Sequence, residues 1–424
     1  MPIRLPIATR RFFQMAISPS APQLTACPDI SPYTKLPEVV FVAAGRTPVG
    51  SMSGSLKALS ATELGAQVVK ATIQRSGLKP SDIQEVYMGN VLQANLGQSP
   101  ARQVALGAGC PESTEATTIN KVCASGMKAI ILAAQNLQSG NRTIMVAGGM
   151  ESMSNTPFYL PRGNSFGHFS VSDAIIKDGL WDPYNQIHMG SCAEETALKH
   201  SIGRDAQDDY AIESYERAAK AWEAGAFKDE IVPVEIKDKR SDKVTIVSED
   251  EEYKNVKFDK LRTLKPVFKK ERGTVTAANA STLNDGASAV VLMTAEEARL
   301  RGTKKLAKII SYAEAACAPI DFPIAPTLAI PMALEKAGLE FEDMSKIEIN
   351  EAFSVVALAN MKILGIKADK VNVNGGAVAL GHPIGSSGCR IVVSLIHSLK
   401  PGEYGVAGVC NGGGAASAMV IRRL

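Results

Sequence analysis

Cys123 stands in the run Asn120-Lys121-Val122-Cys123-Ala124-Ser125-Gly126-Met127, immediately ahead of an apolar pattern that reads as a helix. Free backbone N–H groups and the helix dipole gather at such a position and favour an anion. That environment lowers a thiol's pKa and makes a nucleophile. Far downstream, Asn372-Val373-Asn374-Gly375-Gly376-Ala377-Val378-Ala379-Leu380-Gly381-His382-Pro383-Ile384-Gly385 sets His382 just before a second helical pattern. Imidazole is the natural base for a thiol. Cys410-Asn411-Gly412-Gly413-Gly414 follows a strand pattern and puts a second thiol beside exposed backbone N–H groups. In Asn350-Glu351-Ala352-Phe353, Asn350 can cap a helix, or it can hold a water or a carbonyl in a pocket.

These residues need elements to carry them. Strand patterns occur at 37–42, 85–88, 143–147, 289–293, 307–311, 346–349 and 405–409, with helical patterns between them. That alternation predicts a parallel α/β architecture. Two helical stretches match at a fixed offset. One opens at Ser125-Gly126, runs to Leu137 and ends at Gly140; the other opens at Ser387-Gly388, runs to Leu399 and ends at Gly402. Gly388 follows Gly126 by 262 positions, and the same offset makes Gly385 the counterpart of Cys123. Ala287-Ser288-Ala289-Val290-Val291-Leu292 resembles Ala416-Ser417-Ala418-Met419-Val420-Ile421 at an offset of 129. The unequal offsets imply two related halves, the first interrupted by an insertion of about 133 residues between Met150 and Asn284. The insertion holds both tryptophans and a helix pattern at 205–223 with Ala211, Tyr215, Ala218 and Trp222 on one face. Its lysine-rich part, from Lys254 to Lys270, is either a solvated loop or a cationic lip for phosphates.

A chain of 424 residues exceeds one ordinary core, so more than one domain is expected. The net charge of +3 provides no basic field for nucleic acid, and the apolar runs are too short for a membrane span. Seven cysteines without a CxxC pair fit free thiols in a reducing compartment. Cys27, Cys110, Cys192, Cys317 and Cys389 read as packing or surface thiols, and His168, His200 and His397 as ordinary. Residues 1–28 carry three arginines and several hydroxyls without an acid, the composition of an organelle transit peptide. Walker A, HExxH and GxGxxG motifs are absent.

Taken together, the four motifs resemble those of the thiolase family, from about residue 38 to the end, and most closely its mitochondrial branch acting on short substrates. The resemblance implies a thiolase fold: two pseudo-symmetric βαβαβαββ halves in a five-layer αβαβα arrangement with an inserted loop domain. It divides the chain into a leader and linker (1–37), an N-terminal half (38–157 plus 273–303), a CoA-binding insertion (158–272) and a C-terminal half (304–424). Cys123 would accept the acyl group, His382 would activate it, and Cys410 would move the α-proton. Asn350, through a water, and His382 would form one oxyanion hole; the N–H groups of Cys123 and Gly412 would form the other. CoA would meet His188, Tyr215, Lys260 and Ser281, with Asn255 departing from the arginine common near the adenine end. Potassium would sit near Tyr215, Ala277, Ala278, Ala280 and Val378. Acetyl-CoA and short β-ketoacyl-CoA substrates, a homotetramer and the mitochondrial matrix also follow from the resemblance. Pro319-Ile320-Asp321-Phe322-Pro323 resembles the variant that accepts a 2-methyl branch. A broad-range 3-ketoacyl-CoA thiolase is the alternative within the family.

Overall fold

The strands of the first half are β1 (Val39–Arg46), β2 (Glu85–Gly89), β3 (Glu115–Ile119), β4 (Ile144–Ser152) and β5 (Asn284–Thr294). Those of the second are β6 (Ala307–Ala316), β7 (Met344–Ile349), β8 (Tyr404–Asn411) and β9 (Ala415–Arg423). The helices used below are α1 (Ala61–Arg75), α2 (Pro100–Gly107), α3 (Ser125–Gln138), α4 (Met189–Lys199), α5 (Arg204–Glu223), α6 (Pro326–Ala337), α7 (Ser354–Leu364) and α8 (Ile384–Ser398). This computed structural model describes residues 36–163, 166–238 and 241–424. The transit-peptide reading and Cys27 therefore lie outside the described residues.

Among the described residues the nine strands form one sheet path, β7-β8-β9-β6-β1-β5-β4-β2-β3, with Gly50–Ser51 pairing β5 as a tenth. The halves meet where β1 pairs β6 through only Val40–Lys308 and Phe41–Ala307. On either side of that seam the order repeats: β1, β5, β4, β2 in one half and β6, β9, β8, β7 in the other. The sheet is mixed, which corrects the parallel expectation. β2 runs parallel to β3 and β4, and β7 to β8, but β5 and β9 pair antiparallel with both neighbours. A tight Gly412-Gly413-Gly414 turn between β8 and β9 forces the chain to reverse, and such a short connection joins only antiparallel strands.

Side chains alternate across each strand, so one strand serves two cores. Val290 and Leu292 of β5 face a central cluster, while Ala289 and Val291 face an outer one. Their counterparts at the 129-residue offset behave alike: Met419 and Ile421 face the centre, Ala418 and Val420 the opposite outer cluster. Met145 and Ala147 of β4, with Ala407 and Val409 of β8, obey the other offset in the same way. Helices α3 and α8 fill the central layer, α1 and α2 cover one outer face, and α6 and α7 cover the other. This is the five-layer αβαβα arrangement that the resemblance implies.

The two central helices touch where neither has a side chain. A Cβ on Gly126 would lie 2.7 Å from the Cys389 nitrogen, and one on Gly388 2.7 Å from the Met127 nitrogen. Backbone approach this close brings the two helix N-termini, and the motifs ahead of them, to one place. Helix α8 begins at Ile384, three residues before its expected start, behind Pro383 as N-cap. Helix α5 spans the expected stretch, and its Ala211, Tyr215 and Ala218 pack on Val378, Ala379 and Leu380.

Candidate active site

A cavity of about 320 Å³ opens between the halves, and Cys123, His382, Gly412, His188, Ser281 and Ala280 all line it. Its walls are mainly apolar, with Leu180, Met189, Phe268, Phe322 and Phe353 among them. That is the usual make-up of a ligand site, an apolar shape with a few convergent polar groups.

Cys123 sits on a tight turn. Val122 before it has φ +48°, a strained value for a β-branched residue. The turn is held by Lys121 N–H donating to Ser125 Oγ at 2.8 Å, Ser125 Oγ donating to the Val122 carbonyl at 2.6 Å, and Val122 N–H donating to Asn120 Oδ1 at 3.0 Å. The expected low thiol pKa is not what this environment produces. Burial pushes the thiol up to about 11; the N–H groups of Gly412 and Cys123 itself pull the other way, and Glu151 adds to the rise. The two N–H groups still converge on this sulfur.

His382 is buried, its N–H held by Asn284 Oδ1 at 2.8 Å. Gly381, just before it, has φ +100° and lies against the Asn284 side chain, so this position demands glycine. The ring's Nδ1 lies 2.5 Å from Ser387 Oγ, and Nε2 has no protein partner. Burial, then the Arg390 charge, push its pKa down to about 3. The imidazole is therefore neutral, and its Nε2 is not engaged by any protein group.

Cys410 lies inside β8 rather than after it, fully buried, with its thiol held well above the ordinary range by burial and by the Cys123 charge. The two sulfurs are close enough to influence one another. Cys317, expected to be ordinary, also acts on Cys410. Asn350 does not cap a helix: α7 starts at Ser354 with Phe353 as N-cap. Its amide is fully buried and both polar atoms lack a protein partner, which fits the water-holding alternative.

Of the remaining expected residues, His188, Ser281 and Ala280 line the cavity, and Tyr215, Lys260, Ala277, Ala278 and Val378 do not. His188 caps α4, accepting from Gly190 N–H at 3.0 Å, and stacks on Phe268 at 4.7 Å. Ser281 Oγ donates to the Ala352 carbonyl at 2.8 Å. Lys260 is exposed and away from the cavity lining. Asn255 is bonded to Ser51 Oγ at 3.2 Å. Tyr215 and Val378 share one apolar cluster, whereas Ala277, Ala278 and Ala280 belong to the turn that leads to Ser281.

Several residues of the site escaped sequence reading. Ser387 is one. Glu151 is another: fully buried, it accepts from Asn90 Nδ2 and from the N–H groups of Val91, Leu92 and Gly385, joining the halves beside the cavity. Glu351 accepts from Tyr210, Ser214, Asn372 and Val378 and so ties α5 to the second half. Glu351 lies inside a quoted motif and Glu151 in none, but no local pattern reveals the role of either, because their partners come mainly from other segments.

Two thiols and a neutral imidazole thus meet at the junction of two related α/β halves. The models for the thiolase N-terminal and C-terminal domains match residues 39–296 and 303–423, and the chain belongs to that family. It is 59% identical over 390 residues to the mitochondrial acetyl-CoA acetyltransferase of Bos taurus, covering 92% of each chain. It is 58% identical to that of Homo sapiens, covering 92% of this chain and 91% of the relative. The Acat5 thiolase of Ascaris suum, solved in complex with coenzyme A, superposes with a TM-score of 0.88 at 50% identity, covering 91% of this chain and all of that one.

Proposed function

We propose that this chain is an acetyl-CoA C-acetyltransferase, joining two acetyl-CoA molecules to acetoacetyl-CoA and CoA and catalysing the reverse thiolysis. The observation that carries this reading is the unpaired Nε2 of a neutral His382 on the cavity that Cys123 lines. Cys123 gives its proton to Nε2, and the thiolate attacks the thioester carbonyl. The oxyanion forms at the N–H groups of Cys123 and Gly412. CoA leaves with the proton held by His382, and acetyl-Cys123 remains. Cys410, after passing its own proton to the now neutral His382, removes a methyl proton from a second acetyl-CoA as a thiolate. Asn350, through a water, and His382 steady the enolate oxygen. The enolate carbon attacks acetyl-Cys123, the new C–C bond forms, and the Cys123 sulfur departs, taking back the proton held by His382. Each oxyanion donor contributes roughly 3–4 kcal/mol to such a transition state.

CoA is the acyl carrier, received by the 158–272 insertion with His188, Tyr215, Lys260 and Ser281. Phe322 on the cavity wall supports acceptance of a 2-methyl branch; absence of turnover of 2-methylacetoacetyl-CoA beside active acetoacetyl-CoA turnover would refute that part. Among the described residues no cluster of His, Cys, Asp or Glu can hold a metal ion. A monovalent cation instead suits neutral oxygens: the Tyr215 hydroxyl and the carbonyls of Ala277, Ala278, Ala280 and Val378. Tyr215 is buried within the electrostatic reach of Glu252 and Glu351, a negative setting that favours potassium. A homotetramer in the mitochondrial matrix completes the reading: the relatives are named mitochondrial and the leader is arginine-rich, while the tetramer follows from the family resemblance alone.

The test is to incubate the protein with acetoacetyl-CoA and map the acetylated peptide. A mass increase of one acetyl group on Cys123 is expected. Cys123→Ser should lower turnover by at least about a thousandfold, with CoA binding retained in calorimetry. Acetylation elsewhere, or an active Cys123→Ser protein, overturns the assignment.

A further inference from the structure

The two cysteines belong to different halves, so something must set their separation. Lys121, two residues before Cys123, reaches across the seam: its Nζ donates to Glu314 Oε1 at 2.5 Å and to Ser417 Oγ at 2.9 Å. Glu314 of β6 lies opposite Ser417 of β9, and Ser417 lies opposite Val409, the residue just before Cys410 on β8. The nucleophile's turn is thereby tied, through one side chain, to the strands that carry the second thiol. Lys128 holds the other Glu314 oxygen at 2.5 Å, but from within α3. Burial pushes the Glu314 carboxyl up, yet the two lysines outweigh this and hold it below the ordinary range.

The base is secured differently. His382 and the start of α8 are fixed to the first half by Gly385 N–H on Glu151 Oε2 at 2.9 Å, by Ser288 Oγ on Ser386 Oγ at 2.8 Å, and by the Gly126–Gly388 contact. None of these passes through Lys121. The Val122 backbone at φ +48° relaxes unless its surroundings over-determine it, and the lysine is one of the groups that do so.

We infer that Lys121 is a positioning residue that aligns Cys123 with Cys410 through Glu314 and Ser417, while leaving the Cys123–His382 pair to other contacts. This rests on the thiolase reaction proposed above and adds a residue to it. Loosening the clamp should impair the step that needs both sulfurs and spare the step that needs only one.

The experiment measures two rates in each variant. The first is acetylation of Cys123 by acetyl-CoA, followed by peptide mass spectrometry; the second is steady-state thiolysis of acetoacetyl-CoA. Lys121→Met is expected to lower thiolysis by roughly ten- to a hundredfold, the scale of a small misplacement of reacting groups, with acetylation slowed less than about threefold. Lys121→Arg should recover most of the loss, and Lys128→Gln should resemble the parent in both rates. Should Lys121→Met fail to fold by circular dichroism, Ser417→Ala is measured in its place with the same expected split. Equal losses in both rates, unchanged thiolysis, or the same split in Lys128→Gln would each overturn the inference. A parent protein that never acetylates Cys123 would instead refute the reaction itself.

Discussion

His382 Nδ1 lies 2.5 Å from Ser387 Oγ, and that oxygen lies 3.0 Å from the Pro383 carbonyl. A hydroxyl has one proton, and the carbonyl can only accept it. Ser387 therefore accepts from Nδ1–H, which places the imidazole lone pair on Nε2, facing the cavity. Ser387→Ala removes the partner that selects this tautomer and orients the ring. The expected result is a roughly ten- to hundredfold fall in kcat/KM, with a small change in Tm. Unchanged kinetics would show that the ring is oriented by packing alone.

The resting site is a neutral pair. Burial lifts Cys123 to about 11, and burial with Arg390 lowers His382 to about 3. At pH 7 the thiol keeps its proton, and the thiolate fraction grows as pH rises towards the thiol's pKa. Alkylation of Cys123 by iodoacetamide should therefore accelerate by roughly tenfold per unit between pH 7 and pH 9. A plateau reached below pH 8 would instead reveal a thiolate–imidazolium pair.

Glu151 satisfies three buried backbone N–H groups and the Asn90 amide. Burial pushes its carboxyl up to about 7, although all four donors oppose the rise. Glu151→Ala leaves those donors buried without an acceptor, at about 1–3 kcal/mol for each group that water does not reach. Thermal unfolding should show Tm lowered by several degrees or more. Because Gly385 is one of the donors, turnover should fall even in the folded fraction. A parent-like Tm would mean that water replaces the carboxylate.

If neutral oxygens around Tyr215 hold potassium, adding it should stabilise the folded state, since a ligand that binds only that state raises Tm. Potassium chloride should raise Tm above the value in tetramethylammonium chloride of equal ionic strength. Tyr215→Phe should reduce the difference. Equal Tm values in the two salts would remove the cation from the site.

Much of the architecture was readable because it repeats. Gly126 and Gly388, and the stretches at Ala287 and Ala416, mark equivalent places in two halves, and the core faces of Val290 and Met419 agree with that equivalence. Strand direction was not readable, because an alternation of strands and helices does not say from which side β5 returns after the insertion. The start of α8 was misplaced by three residues, since Pro383 and Gly385 hide a helix that begins between them.

The chemistry divides along the same line. Residue type and local neighbours single out Cys123, His382, Cys410 and Asn350 as candidates, because a tight turn before a helix and a glycine-rich approach are properties of adjacent residues. Their environment is another matter. The raised thiol, the tautomer imposed by Ser387, the four donors on Glu151 and the Lys121–Glu314 link all depend on segments far apart in the chain. Desolvation and hydrogen bonding act through distance in space, so they exist only once the two halves have closed on one another.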